Sequence, residues 1–202
     1  MSHVIVSRCG LARRHYDTKI IAMKRTSLHI GVMIALALWS ANGLAAPQFD
    51  TKVKSTLTGM KPLTETALSD LAGKITVVSF FANWCPPCTA EFQQLNQLRH
   101  DFSKDRVAIV ALNLFEGFFP GNNEGRMKRF LKRTKPTFPV LSGLTDDELS
   151  KLFGGLERIP MVLIFDQQGR SIFSFVHAVG AKKMHAGYDE LAAAIRAKLP
   201  AP

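Results

Sequence analysis

Apolar residues along this chain alternate between short, nearly unbroken runs and runs spaced three or four apart, which predicts strands interleaved with helices. The run Ile75–Phe81 is β-branched and aromatic almost throughout, as expected of a strand covered on both faces. Pro86 and Pro87 suit the first turn of a helix, where a missing N–H costs little. That helix continues through Phe92, Leu95, Leu98 and Phe102, which share one face. Residues 107–112 make a second buried-type strand. After a loop rich in Gly, Pro and Asn at 117–125, Met127, Phe130 and Leu131 mark another helix. The segment 145–148, Thr-Asp-Asp-Glu, predicts a capping box that opens a helix ending at Gly154 and Gly155. Strands Met161–Phe165 and Ser171–Val176, joined by a turn at 166–169, predict a hairpin. A closing helix carries Tyr188, Leu191, Ile195 and Leu199. Residues 64–71 predict a short helix before Gly73, whereas 46–61 are polar and give no clear element. This order implies an α/β sandwich around a mixed sheet.

The N-terminal part has a different pattern. Met23-Lys24-Arg25 is followed by an apolar run from Leu28 to Trp39, and then by small residues up to Ala46. A basic end, a short apolar centre and small residues at the cut are the three parts of a secretory signal, with cleavage expected after Ala45. Retention as an uncleaved anchor is the competing expectation, since 28–46 is about as long as the ~20 residues of a membrane span. Ser40, Asn42 and Gly43 weaken its second half. Residues 1–22 resemble neither a signal nor a domain and read as an upstream extension foreign to the native protein, with Met23 as its start. The remaining 46–202 show no linker or repeat, and one domain is expected there.

The formal charge of +10 raises the question of nucleic acid. Six of the 26 basic residues and one of the 16 acids fall within 1–45, which leaves +5 over 46–202. The densest basic cluster is Arg126, Lys128, Arg129, Lys132, Arg133 and Lys135. Such a run at helical spacing is either a solvated face or a docking site for an acidic partner. No nucleic-acid motif accompanies it, and no nucleic-acid partner is expected.

Three cysteines are present, and Cys9 lies upstream of the export segment. The exported part keeps Cys85 and Cys88, too close together for their bond to staple a large loop. A pair of this spacing in an oxidising compartment points to redox chemistry. The strand-to-helix junction suits it. A thiolate at a helix N-terminus faces unpaired N–H groups and the positive end of the dipole, which favours its ionised form. Cys85 is the candidate nucleophile and Cys88 the resolving thiol, with Trp84 placed to shield one side of the sulfur. The other reading of C-x-x-C is part of a zinc or copper site, on which the chain would bind or deliver metal. That site needs further ligands, and His177 and His185 are the histidines available. A peroxidase would want a separate peroxidatic cysteine, and a pure chaperone would not need the pair at all.

The segments Leu71-Ala-Gly-Lys74 and Val77-Val-Ser-Phe-Phe-Ala-Asn-Trp-Cys-Pro-Pro-Cys-Thr-Ala-Glu91 resemble the TlpA-like branch of the thioredoxin superfamily. So do Phe138-Pro-Val140, Leu152-Phe-Gly154, Ile159-Pro160 and Leu163-Ile-Phe-Asp166 with Gly169-Arg170, in the same order. The resemblance runs from about Leu68 to the C-terminus. It implies a thioredoxin-like three-layer sandwich with a central mixed β-sheet. It implies a periplasmic thiol–disulfide oxidoreductase, soluble or membrane-tethered, that reduces exported proteins or apocytochrome c and draws electrons from a membrane thiol-transfer protein. No cofactor beyond the redox disulfide is implied, and no resident metal. Pro160 becomes the cis-proline facing the cysteines, the alternative being an ordinary trans proline that opens a strand. Glu91 becomes an acid near the resolving cysteine, the alternative being a solvated first-turn glutamate. The chain also departs from the pattern. Ser79 stands where thioredoxin carries a buried aspartate, and Asn83 where threonine is common. Leu156-Glu-Arg-Ile159 replaces the glycine-containing approach to the proline, and Met161 replaces a frequent threonine. Glu116 lies where relatives sometimes carry another acid.

Overall fold

The computed structural model describes residues 47–68 and 70–199. From the N-terminal side the chain forms α1 (Thr51–Gly59), β1 (Lys61–Pro62), β2 (Ile75–Phe81), α2 (Pro86–Asp101) and β3 (Val107–Asn113). A 3₁₀ turn (Glu116–Phe118) leads to α3 (Asn123–Thr134), β4 (Val140–Ser142) and α4 (Asp146–Phe153). The hairpin β5 (Met161–Phe165) and β6 (Ser171–Val176) precedes α5 (Tyr188–Arg196). The strand order is β1-β4-β3-β2-β5-β6. β3 runs parallel to β2 and β4, while β5 is antiparallel to β2 and β6, and β1 is antiparallel to β4. The sheet is therefore mixed, as expected.

Every residue of β2, β3 and β5 is buried, because these strands lie in the interior of the sheet with helices over both faces. Two neighbours on β2 define the layers. Phe80 meets Phe153 of α4 edge-on at 4.9 Å, whereas Phe81 meets Phe92 of α2 and Phe130 of α3 on the opposite face. Successive side chains of a strand point to opposite faces, so α4 and the α2–α3 pair must sandwich the sheet between them. Helix α2 packs against both α3 and α5. Each phenylalanine fully buried in this way contributes about 1.5–3 kcal/mol relative to exposure.

The expected elements from 75 onward are present, and α4 has its capping box and a left-handed Gly154 at its end. Two segments differ from expectation. Residues 64–68, 70 and 71 form no helix. Leu63 donates to the Val140 carbonyl at 2.8 Å, and the Thr64 hydroxyl accepts from the Val140 amide at 3.1 Å, so the start of this stretch is tied to β4 instead. The unassigned stretch before it contains α1, capped by Asp50, whose Oδ1 accepts from the Val53 amide at 2.9 Å. Only Val53 and Leu57 of α1 are buried, one turn apart, too narrow an apolar stripe to stand out in the sequence. The turn at 166–169 is held by Asp166, which accepts from the Gln168 and Arg170 amides at 3.0 and 2.9 Å and from Arg170 Nε at 2.8 Å. Phe49 then packs its amide on the Gly169 carbonyl at 2.8 Å, and its ring stacks on Phe165.

The described residues fall within one compact unit, Ala46–Pro202. The expected upstream extension, the signal or anchor segment and Cys9 lie outside the described residues. No helix among the described residues is long and apolar enough to cross a membrane.

Candidate redox site

Strand β2 ends at Phe81 and hands the chain over to α2 through Ala82-Asn-Trp-Cys85. Cys85 is the N-cap of α2, in extended conformation, and Pro86 and Pro87 occupy the first helical positions. The amide of Cys88 donates to Cys85 Sγ at 3.3 Å, and the two sulfurs are bonded at 2.05 Å. The first cysteine is 4% exposed and the second is fully buried. Attack from outside therefore falls on Cys85. A shallow depression above it is lined by Asn83, Trp84, Cys85, Pro86, Thr89 and Arg133.

Glu91 lies one turn further along α2 and is fully buried, so the alternative of a solvated first-turn glutamate does not hold. Its Oε1 accepts from the Ser79 hydroxyl at 2.7 Å, and Oε2 has no hydrogen-bond partner. Burial pushes the carboxyl up to about 8. The Ser79 hydrogen bond and the Ala186 amide, which lies outside ordinary hydrogen-bond geometry, oppose the rise. The position where thioredoxin keeps an aspartate on the strand is thus a serine here, bonded to a carboxyl reaching in from the helix.

The loop after β3 clamps the cysteine motif from the side. Glu116 accepts from the Asn83 amide at 2.8 Å, from the Asn83 side chain, and from Asn113 Nδ2 at 2.6 Å. Trp84 Nε1 donates to the Phe115 carbonyl at 2.8 Å. Phe115 is left-handed, and its own amide donates to Asp146 Oδ1 at 2.7 Å. The indole of Trp84 stacks on Phe118 and meets Phe119 edge-on, each at 5.2 Å. Asn113, Phe118 and Phe119 escape the motif reading, Asn83 enters it only as a departure from threonine, and Glu116 only as a position where relatives sometimes carry an acid. One signal does point to them, because β2 and β3 are parallel neighbours and their C-terminal ends open on the same crevice.

The Ile159–Pro160 peptide is cis. Since Met161 pairs with Phe80, Pro160 sits at the end of the sheet where β2 gives way to the cysteine motif. Its carbonyl accepts from the His177 amide at 3.0 Å. His177 lies just past β6, with Nδ1 buried and unpaired, while His185 Nδ1 lies 2.9 Å from the Ala186 carbonyl. Among the described residues no group of three or more His, Cys, Asp or Glu is arranged to hold a metal ion.

Known proteins share this architecture. A model of the AhpC/TSA family matches residues 43–171. The thiol-disulfide oxidoreductase ResA of Geobacillus thermodenitrificans is 30% identical over 130 residues, 64% of this chain and 66% of that protein. ResA of Bacillus cereus is 28% identical over 162 residues, 74% of this chain and 88% of that protein. The chain thus spans about two thirds of the length of the first-named relative. Among solved structures, a thiol-disulfide isomerase from Corynebacterium glutamicum superposes with a TM-score of 0.60 at 19% identity, covering 78% of this chain and 98% of that one. StoA from Bacillus subtilis superposes at 0.51 with 23% identity, covering 67% and 92%. These superpositions establish a thioredoxin-like fold.

Proposed function

The chain belongs to the AhpC/TSA family, and from that premise we propose that it is an exported thiol–disulfide oxidoreductase that reduces disulfides of other proteins. The observation that carries the reading is the Cys85–Cys88 disulfide at the start of α2, with Cys85 alone keeping any exposure. Its relation to the ResA proteins points the same way.

The reaction begins from the reduced pair. The Cys85 thiolate, favoured by the helix N-terminus, attacks one sulfur of a substrate disulfide. A Cys85–substrate bond forms, and one substrate thiolate leaves. Cys88 then gives up its proton and attacks Cys85 Sγ. The second substrate thiolate leaves, and the Cys85–Cys88 bond closes. The substrate has gained two electrons and the chain has lost two, which a dithiol donor must restore. Glu91 lies one turn beyond Cys88 on α2, and burial raises its carboxyl to about 8. Its unpartnered Oε2 makes Glu91 the candidate acceptor of the proton that Cys88 gives up. Trp84 covers one side of the sulfur, and the backbone beside Pro160 pairs with the extended substrate.

The redox couple is the disulfide itself, with no further cofactor. The compartment is the periplasm, reached through the signal at 23–45. The donor is a membrane thiol-transfer protein, and the acceptors are exported proteins or apocytochrome c. The test is capture with the Cys88→Ala protein in a cell envelope. Mixed disulfides are expected through Cys85. Recovery of apocytochrome c selects a maturation role, and recovery of many envelope proteins selects a general reductant. Trapping through Cys88 in a Cys85→Ala protein, with none through Cys85, overturns the assignment of roles.

A further inference from the structure

Helix α3 carries more positive charge than its place in the fold explains. Arg126, Lys128, Arg129, Lys132 and Arg133 lie on it and Lys135 caps it, against the single acid Glu124, which pairs with Lys128 at 2.7 Å. The helix dipole favours cations only in the last turn, so it accounts for Lys132 and Arg133 but disfavours Arg126 in the first turn and does not account for Lys128 or Arg129. Among the described residues Arg129, Lys132 and Lys135 meet no carboxylate. A face held only by solvation normally mixes both signs. This one does not.

The stripe also has a position. Arg126, Arg129 and Arg133 recur at helical spacing on one side of α3. At one end Arg126 binds the Phe119 carbonyl at 2.9 Å and the Pro120 carbonyl at 3.2 Å, and so anchors the loop whose rings stack on Trp84. At the other end Arg133 donates to Thr89 Oγ1 at 3.3 Å and lines the depression that holds Cys85. Beside the stripe Phe118 is 70% exposed and Phe119 45%, both large apolar rings facing water. Buried sulfur, exposed rings and unneutralised guanidinium groups are therefore continuous on one surface.

We propose that this surface docks an acidic polypeptide segment that carries, next to its cysteines, an apolar side chain for the Phe118–Phe119 platform. The inference rests on the thiol-exchange reading and names the class of partner for that site. Arg126 to Arg133 spans about 10 Å along the helix, equal to about three residues of extended chain. Carboxylates about three residues apart fit the stripe. Their attraction raises the encounter rate and weakens with salt.

The test uses the full chain and three peptides that share one disulfide loop and differ only in acidic, neutral or basic flanks. Serine-for-cysteine copies report binding alone, through the fluorescence of Trp84 in a chain carrying Trp39→Phe. The acidic copy is expected to bind and the basic copy to fail, and the acidic disulfide peptide is expected to be reduced about tenfold faster than the basic one at low salt, with the ratio falling at high salt. Arg129→Glu and, separately, Lys132→Glu are expected to shrink that ratio. Equal binding of all three copies overturns the docking surface. So does pelleting with phosphatidylglycerol vesicles without any peptide preference, which assigns the stripe to a membrane. Preferential binding of the acidic copy with no reduction of any peptide upholds the docking surface and sinks the oxidoreductase reading.

Discussion

Replacing Glu91 by glutamine tests the energetics of the buried carboxyl on the redox helix. The side chain is fully buried, and its one satisfied oxygen accepts from Ser79. Desolvation raises it from 4.5 to about 8 against the pull of Ser79 and Ala186. The unfolded chain therefore loses this proton near 4.5, whereas the folded chain keeps it until about 8. Between those values the folded state binds one proton more, and the free energy of unfolding falls as pH rises. The slope is about 1.4 kcal/mol per pH unit, or about 3 kcal/mol between about pH 5 and pH 7.5. The stabilising difference is fully present below 4.5 and exhausted above 8. Glu91→Gln keeps an oxygen for Ser79 but has no proton to lose, so its stability should lack this slope. Asp101, Glu124, Glu148 and Asp166 are all held below their ordinary values, and their transitions lie under this window. The assay is urea unfolding of the oxidised protein across the pH range, so that thiol ionisation plays no part. Parallel profiles for the native chain and Glu91→Gln would refute the reasoning.

Further outcomes follow from the same geometry. Glu116→Ala removes the acceptor of the Asn83 amide, the Asn83 side chain and the Asn113 side chain. A loss of about 1–3 kcal/mol is expected in chemical unfolding, from leaving buried donors unpaired, along with slower exchange through Cys85. An unchanged midpoint and rate would show that the clamp is idle. Gly169→Ala places a Cβ 2.5 Å from the Phe49 carbonyl oxygen at a φ of +78°. A drop of more than about 1 kcal/mol should appear in thermal unfolding, and a neutral result would contradict the close approach. Cys88→Ala should accumulate mixed disulfides seen as slower bands on non-reducing gels, whereas the Cys85→Ala protein should not.

What the sequence determined by itself was local. The unbroken run of β2, the prolines at the start of α2 and the capping box of α4 are readable because each depends on residues within one or two turns of one another. The Cys85–Cys88 pair was legible for the same reason, being three residues apart. Tertiary structure decided the rest. Glu91 could be solvated or buried until the sheet brought Ser79, 12 residues away, against it. Glu116 became a clamp only when β3 lay parallel to β2 and carried it to Asn83, 33 residues distant in the chain. Residues 64–71 have the composition of a short helix, but the Leu63 amide and Thr64 hydroxyl pair with Val140 and tie the start of the segment to β4. The basic run on α3 gained a direction in the same way, because only packing set Arg126 against the aromatic loop and Arg133 beside Thr89. Periodicity fixes which face of an element is apolar. Only long-range packing fixes which polar groups that face traps, and those trapped groups set the proton affinity and rigidity of the site.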